Sequence, residues 1–213
     1  MVNALEQDTF IGKDVDKYKG VIKLSHPIEH GVIKNWDEME NIWRYIFEEL
    51  GVNPKDHPVL LTEPPLNPTL NRVQTAKIFF ETFGVPALYF QTQSVLSLYA
   101  RGMTSGVVLD CGDGQCHSCA VYEGYSITNA CNRIDIGGRE ITQHLMMLLR
   151  RAGYAFHTTS EFELVRKIKE KHCILNVRLP PQGNSGFVGE DNAEKQSYTL
   201  PDGSHIELKE EVH

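Results

Sequence analysis

No run of apolar residues in this 213-residue chain approaches the roughly 20 needed to cross a bilayer, so the sequence predicts no membrane insertion. Residues 1–8 have neither a basic flank nor an apolar stretch and are not expected to act as a secretory signal. Positive charge is in deficit: 21 Lys and Arg face 28 Asp and Glu, a formal net charge of -7. Such a surface repels a phosphate backbone and excludes sequence-general nucleic-acid binding. Cysteines are few and odd in number, five in all. Without an export signal they read as reduced thiols. No internal repeat recurs at a fixed period. What remains is ordinary globular composition, 41% hydrophobic and 23% charged, long enough for one domain or two small ones.

The first 20 residues are polar and have little core of their own. His26-Pro27-Ile28-Glu29-His30-Gly31 reads as a short strand broken by Pro and Gly. Residues 35–51 form the clearest helix, with Met39, Ile42, Trp43, Ile46, Phe47 and Leu50 on one face. Asn35 and Glu38 make a capping box there, and Gly51 a stop. Pro58-Val59-Leu60-Leu61-Thr62 is a buried-type strand. A second helix starts at Asn67-Pro68, is lined by Val73, Ala76, Phe80 and Phe83, and ends at Gly84. Ala87-Leu88-Tyr89-Phe90 is a strand, and residues 93–100 a helix. This alternation over 27–100 favours a sheet with crossover helices. Further on, Gly137-Gly138 opens a helix with Ile141, Leu145, Leu148 and Leu149 on one face. Ser160 caps another through Lys171, residues 173–177 read as a strand, 180–195 as a mobile loop, and 197–208 as a terminal hairpin.

The stretch 110–114 is the most informative. Val107-Val108-Leu109-Asp110 runs into Cys111-Gly112-Asp113-Gly114, and Ser118-Cys119-Ala120-Val121-Tyr122 runs back out. Asp-Gly between apolar runs signals a hairpin. Two glycines would let backbone amides approach a phosphate, and Asp110 could hold a hydrated Mg²⁺, which keeps most of its waters. The same residues read equally as a surface hairpin with a tight turn. Cys116-His117-Ser118-Cys119 raises zinc or redox chemistry. Strand alternation sends positions 116 and 119 to opposite faces, and no second such motif completes four ligands.

Many blocks in order resemble the actin family: Pro27-Ile28-Glu29-His30-Gly31, Asn35-Trp36-Asp37, His57-Pro58-Val59-Leu60-Leu61-Thr62-Glu63, Pro65-Leu66-Asn67-Pro68, Phe80-Glu81-Thr82-Phe83, Val95-Leu96-Ser97-Leu98-Tyr99-Ala100, Val121-Tyr122-Glu123-Gly124-Tyr125 and Leu200-Pro201-Asp202-Gly203. The resemblance runs from about residue 10 to 208. Asp135-Ile136, Gly138-Arg139, Phe156-His157 and Ser160-Glu161-Phe162-Glu163 lean toward the centractin branch of actin-related proteins.

The resemblance implies an incomplete α/β, actin-like ATPase fold with ribonuclease H-like halves. Residues 1–26 would be a remnant of the small outer subdomain and 27–100 part of the first α/β subdomain. Residues 101–136 would be the second-lobe hairpin region, and 137–213 the second-lobe outer helical subdomain. It implies ATP or ADP with Mg²⁺ or Ca²⁺. Gln93 matches the family's water-positioning residue and His117 a neighbour of that water. Asp110, Gly112, Asp113 and Gly114 match its second phosphate loop, with Asp110 toward the cation. Gly138 matches a nucleotide contact, and Arg166, Lys169 and Glu170 match the adenine and ribose positions. His30 matches the histidine that actins carry methylated.

Each has a plainer reading beside it. Gln93 could be only a polar helix residue, and His117 a structural histidine. Arg166, Lys169 and Glu170 could be a solvated face with its ion pairs. Measured against the family, the chain is expected to start after the first phosphate loop and to stop before the segment over the adenine. Open sheet edges, marginal stability or reliance on a partner would follow, and at most weak ATP hydrolysis of the actin type. The implied role is a cytoplasmic, cytoskeletal subunit whose partners are actin-family subunits or actin-binding proteins. Alternatives are a non-catalytic scaffold in a dynactin-like or other actin-related-protein complex, and a subunit of a chromatin-remodelling complex.

Overall fold

The structure, a computed structural model, describes residues 9–18, 22–174, 196–200 and 203–208. The chain divides into two compact units, Met1–Gly138 and Arg139–His213, each with its own core.

In the first unit a short helix, α1 (Lys13–Tyr18), precedes a minimal hairpin, β1 (Ile28–Glu29) and β2 (Val32–Ile33). The break expected at Pro and Gly is thus a reversal of the chain. His30 and Gly31 both take positive φ, 47° and 74°, the left-handed pair that suits a two-residue turn between twisted strands. Helix α2 (Trp36–Leu50) follows, as its apolar spacing predicts. Asn35 accepts from the Glu38 N–H, and Gly51 closes the helix in the left-handed conformation. The capping box is only half made: the Glu38 carboxylate accepts from the Ser25 hydroxyl instead of returning to the cap.

Strands β3 (Val59–Glu63) and β4 (Leu88–Thr92) are parallel, with Val59 opposite Leu88 and Glu63 opposite Thr92. A parallel pair needs a crossover. Here it is α3 (Thr69–Lys77), which continues through a π turn at Ile78–Phe83 and stops at Gly84, as expected. The expected apolar stripe is corrected in part, Phe83 being buried as expected. Val73 and Phe80 are exposed, while Thr75, Ile78, Phe79 and Phe83 are buried. The wider π turn carries an extra residue and rotates the face presented to α2. Phe79 then meets Trp43 edge-on at 4.8 Å and Phe83 at 5.4 Å, the centre of a core completed by Ile78 and Val85.

Helix α4 (Gln93–Ala100) packs Val95 and Leu98 against Val121, with Val108 beside them. These belong to an antiparallel meander, β5 (Gly106–Cys111), β6 (Cys116–Tyr122) and β7 (Tyr125–Ile134). Along β6, His117, Cys119 and Val121 are buried and Cys116, Ser118 and Ala120 are not. The outer face is apolar and open: Val107 is 75% exposed and Leu109 74%, and Tyr122, Tyr125 and Ile134 are exposed with them.

In the second unit α5 (Gly138–Arg151) and α6 (Thr159–His172) pack with a hairpin, β8 (Gln196–Thr199) and β9 (His205–Leu208). Leu145, Leu149, Phe156, Val165, Ile168, Ile206 and Leu208 form the core. The cap of α6 is Thr158, not Ser160, because Thr158 and Glu161 form a reciprocal capping box. The backbone amides of His157 and Thr158 both donate to Glu161 and hold its carboxyl below the usual range. Cys173 and Ile174 lie in no strand. Residues 175–177, the expected loop 180–195 and Pro201-Asp202 of the terminal turn fall outside the described residues.

Candidate functional site

The turn 112–115 joins β5 to β6 in the first unit. The Gly112 N–H donates to the Gln115 carbonyl at 2.9 Å, closing the turn. Gly112 and Asp113 are exposed at its tip, so the loop is presented to solvent and is not pressed into the interior. Two other segments brace it. The Gly114 carbonyl sits 2.8 Å from His30 Nδ1 at the tip of the β1–β2 hairpin, and Arg133 donates to the His30 carbonyl at 2.6 Å. On another side Gly138 N–H donates to the Gly112 carbonyl at 3.0 Å. A Cβ on Gly137 would stand 2.4 Å from the Asp113 carbonyl oxygen, and one on Gly114 would stand 3.2 Å from the His30 backbone. Close approach of backbone to backbone requires glycine at 137 and leaves a tight fit at 114.

Asp110 and His117 are register partners across β5 and β6. His117 is 3% exposed, and its Nε2 lies 3.8 Å from a carboxylate oxygen of Asp110. Neither ring nitrogen has a hydrogen-bond partner. Buried polar atoms are seldom left so. Burial holds the imidazole below its ordinary pKa; Asp110 pulls the other way, and the Arg133 charge adds to the lowering. A histidine kept neutral in the fold must charge on unfolding once pH drops below the free value of 6.5. Its contribution is intact above that pH and is lost as pH falls through the lower folded-state value. The thermal midpoint should therefore decline from pH 7.5 to 5.5, and His117→Gln should shallow that decline in a melting series.

Gln93 is the first residue of α4, half-buried. It lines a cleft of about 310 Å³ along β3 together with Trp43, Glu63, Phe90 and Gln115. Gln115 is the residue that sequence reasoning passed over. It is 8% exposed, its Oε1 has no hydrogen-bond partner, and it links the cleft to the turn. Nothing in the sequence marks a glutamine as buried, beyond its place next to the second glycine of a tight turn.

The structure thus brings Asp110, Gly112, Asp113, Gly114, His117, Gln93 and the amide of Gly138 into the first unit. Arg166, Lys169 and Glu170 lie in the second, on one face of α6. The Arg166 guanidinium is engaged by two carboxylates, Glu163 at 2.8 Å and Glu170 at 3.2 Å. The ion-paired face read from the spacing is present. No cluster of three His, Cys, Asp or Glu that could hold a metal occurs among the described residues. A divalent cation at the turn would therefore need ligands beyond the protein, which suits Mg²⁺ carried by phosphates. The exposed glycine turn, the Asp110 carboxylate and the orphaned His117 nitrogens fit a phosphate group with its cation.

The C-x-x-C is not one motif in the fold. Cys116 and Cys119 point to opposite faces, as alternation predicts. Cys119 is bonded to Cys131, its register partner on β7, in a disulfide on the buried face. The reading of all five cysteines as thiols is corrected for these two: the antiparallel ladder sets them directly opposite one another.

Comparison with known proteins gives two findings. The family model described as actin matches residues 2–213. An actin-like protein of Neurospora crassa is 47% identical over 213 residues, 98% of this chain and 56% of that protein. The chain therefore spans just over half the length of that relative. No helix among the described residues is long and apolar enough to cross a membrane.

Proposed function

The chain belongs to the actin family, and from that premise we propose that it is an actin-related cytoskeletal subunit that binds ATP or ADP with Mg²⁺ or Ca²⁺ through the 112–115 turn. The observation that carries this reading is the buried His117, its ring nitrogens unsatisfied, held beside Asp110 behind a solvent-facing glycine turn. Asp110, with 40% of its side chain exposed, would hold the cation through that ion's waters. When bound, the cation neutralises phosphate charge. The backbone of the turn positions the phosphate, Gln93 orients a water in the adjoining cleft, and neutral His117 accepts a hydrogen bond from the water network. Cytoplasmic location and actin-family or actin-binding partners follow from the same family premise. Weak hydrolysis is the expectation, because catalysis of phosphoryl transfer rests on donors placed all round the phosphate.

A fluorescent ATP analogue with Mg²⁺ should bind saturably, and Asp110→Ala should weaken it by about tenfold or more, the usual scale for disturbing the surroundings of a bound cation. Equal affinity in the variant would overturn the assignment.

A second reading is favoured by one observation, the open apolar face carrying Val107, Leu109, Tyr122, Tyr125 and Ile134. Contiguous apolar surface of this kind marks a docking site. Under that reading the chain is a non-catalytic scaffold subunit, of a dynactin-like complex or another actin-related assembly. No nucleotide binding, with co-sedimentation on a partner lost in Leu109→Asp, would support it.

A further inference from the structure

Cys111 ends β5 and Cys116 begins β6, and the register places them directly opposite each other. The pair next to them toward the turn, Gly112 and Gln115, is hydrogen-bonded through the Gly112 N–H. Pairs alternate along an antiparallel ladder, so Cys111 and Cys116 occupy a non-hydrogen-bonded pair, where Cα atoms stand about 4.5 Å apart and side chains are closest. That spacing lies at the near end of the range a disulfide spans. The same relation across β6 and β7 already joins Cys119 to Cys131, with Cα atoms 4.2 Å apart.

The two pairs differ in access. Cys119 is fully buried, whereas Cys111 is exposed and Cys116 half-exposed, on the open face of the sheet and away from His117. Two thiolates alone do not complete a four-ligand metal site, and no further ligand cluster occurs among the described residues. Two accessible thiols facing each other suit thiol–disulfide exchange.

We propose that Cys111 and Cys116 are a redox modification site, which a low-molecular-weight disulfide such as oxidised glutathione converts to an intramolecular disulfide across the mouth of the 112–115 turn. The exposed Cys111 thiolate attacks one sulfur of the oxidant and releases one glutathione thiolate, leaving a mixed disulfide. The Cys116 thiolate then attacks the Cys111 sulfur and expels the second glutathione. Two protein thiols lose two protons and two electrons, and one oxidised glutathione becomes two reduced ones. The bond staples the base of the turn from the face opposite Asp110. This site does not depend on the nucleotide reading: it follows from register and exposure alone.

The test uses the full chain, reduced with Cys119–Cys131 intact and then equilibrated with oxidised glutathione. Remaining thiols are alkylated, and the chain is cut before Asp110, Asp113 and Asp135 without reduction. In the mass spectrum the fragment carrying Cys111 should stay joined to fragment 113–134, which carries Cys116, Cys119 and Cys131, and backbone fragmentation between Cys116 and Cys119 should place the bond on Cys116, with no retained glutathione. Cys116→Ser should instead retain glutathione on Cys111. Alkylation of both thiols in the wild-type chain, a glutathione adduct persisting on its Cys111, or Cys111 joined to any other cysteine would each overturn the proposal. The wild-type result decides by itself should the variant fail to fold.

Discussion

Phe79→Ala should destabilise the first unit by about 3–5 kcal/mol, the range for removing a fully buried aromatic ring. Phe79 is 1% exposed and lies against Trp43, Phe47 and Phe83 at once. No single neighbour can fill the space, because Trp43 and Phe83 are fixed on different elements, α2 and the π turn. Against a total stability of about 5–15 kcal/mol for an ordinary domain, that is a large fraction. Phe80→Ala, one residue away and half exposed, should cost well under half as much. Urea unfolding followed by tryptophan fluorescence reads the difference, since Trp43 touches the deleted ring. Equal losses at 79 and 80 would mean that the π turn does not set the packing.

Arg72→Ala should cost about 1–3 kcal/mol, the penalty for leaving a buried acceptor without its donor, moderated because the Arg72 side chain is 54% exposed. The Glu63 side chain is 7% exposed and ends β3. Its carboxylate is bound by both the Nε and a terminal nitrogen of Arg72, and by the Asn67 amide at 3.1 Å. With Arg72 gone, Asn67 alone cannot offset the desolvated charge. The double change Arg72→Ala with Glu63→Leu should therefore be more stable than Arg72→Ala alone, because the orphaned charge goes too. Chemical denaturation of the three variants checks this. A double mutant weaker than either single change would show that the pair acts through shape and not through charge.

Much of the local structure is written in short-range pattern. The face of α2 is legible in part from 3.6-residue spacing: Met39, Trp43 and Phe47 pack on the core, while Ile46 and Leu50 of the same expected stripe are exposed. The 112–115 turn is legible because Asp-Gly between apolar runs allows little else. The missed features come from tertiary context. Phe79 replaces Phe80 in the core because a π turn, which leaves no mark in apolar spacing, rotates the helix face. Thr158 caps α6 in place of Ser160 although each has a glutamate three residues on, Glu161 and Glu163, so the capping-box spacing alone does not choose between them. Cys119 pairs with Cys131 and not with Cys116, since pairing depends on cross-strand register that spacing along one strand cannot supply. In the site, Asp110 and His117 were readable as candidates, and their facing each other is a property of the hairpin. The burial of Gln115 and its place beside Gln93 emerge only when β3, the β1–β2 turn and β6 converge.

The abutting glycines at 114 and 137 have a consequence for how this region can vary. Where the added carbon of an alanine would collide with main chain and not with a yielding side chain, substitution shifts whole segments. A saturation library across residues 110–138 should therefore return a near-blank column at Gly137 and a thinner one at Gly114, where the neighbouring backbone need yield only slightly. Selection on folding and selection on ligand capture would then leave separate fingerprints within a single loop: the first on residues that have no side chain, the second on the acids beside them.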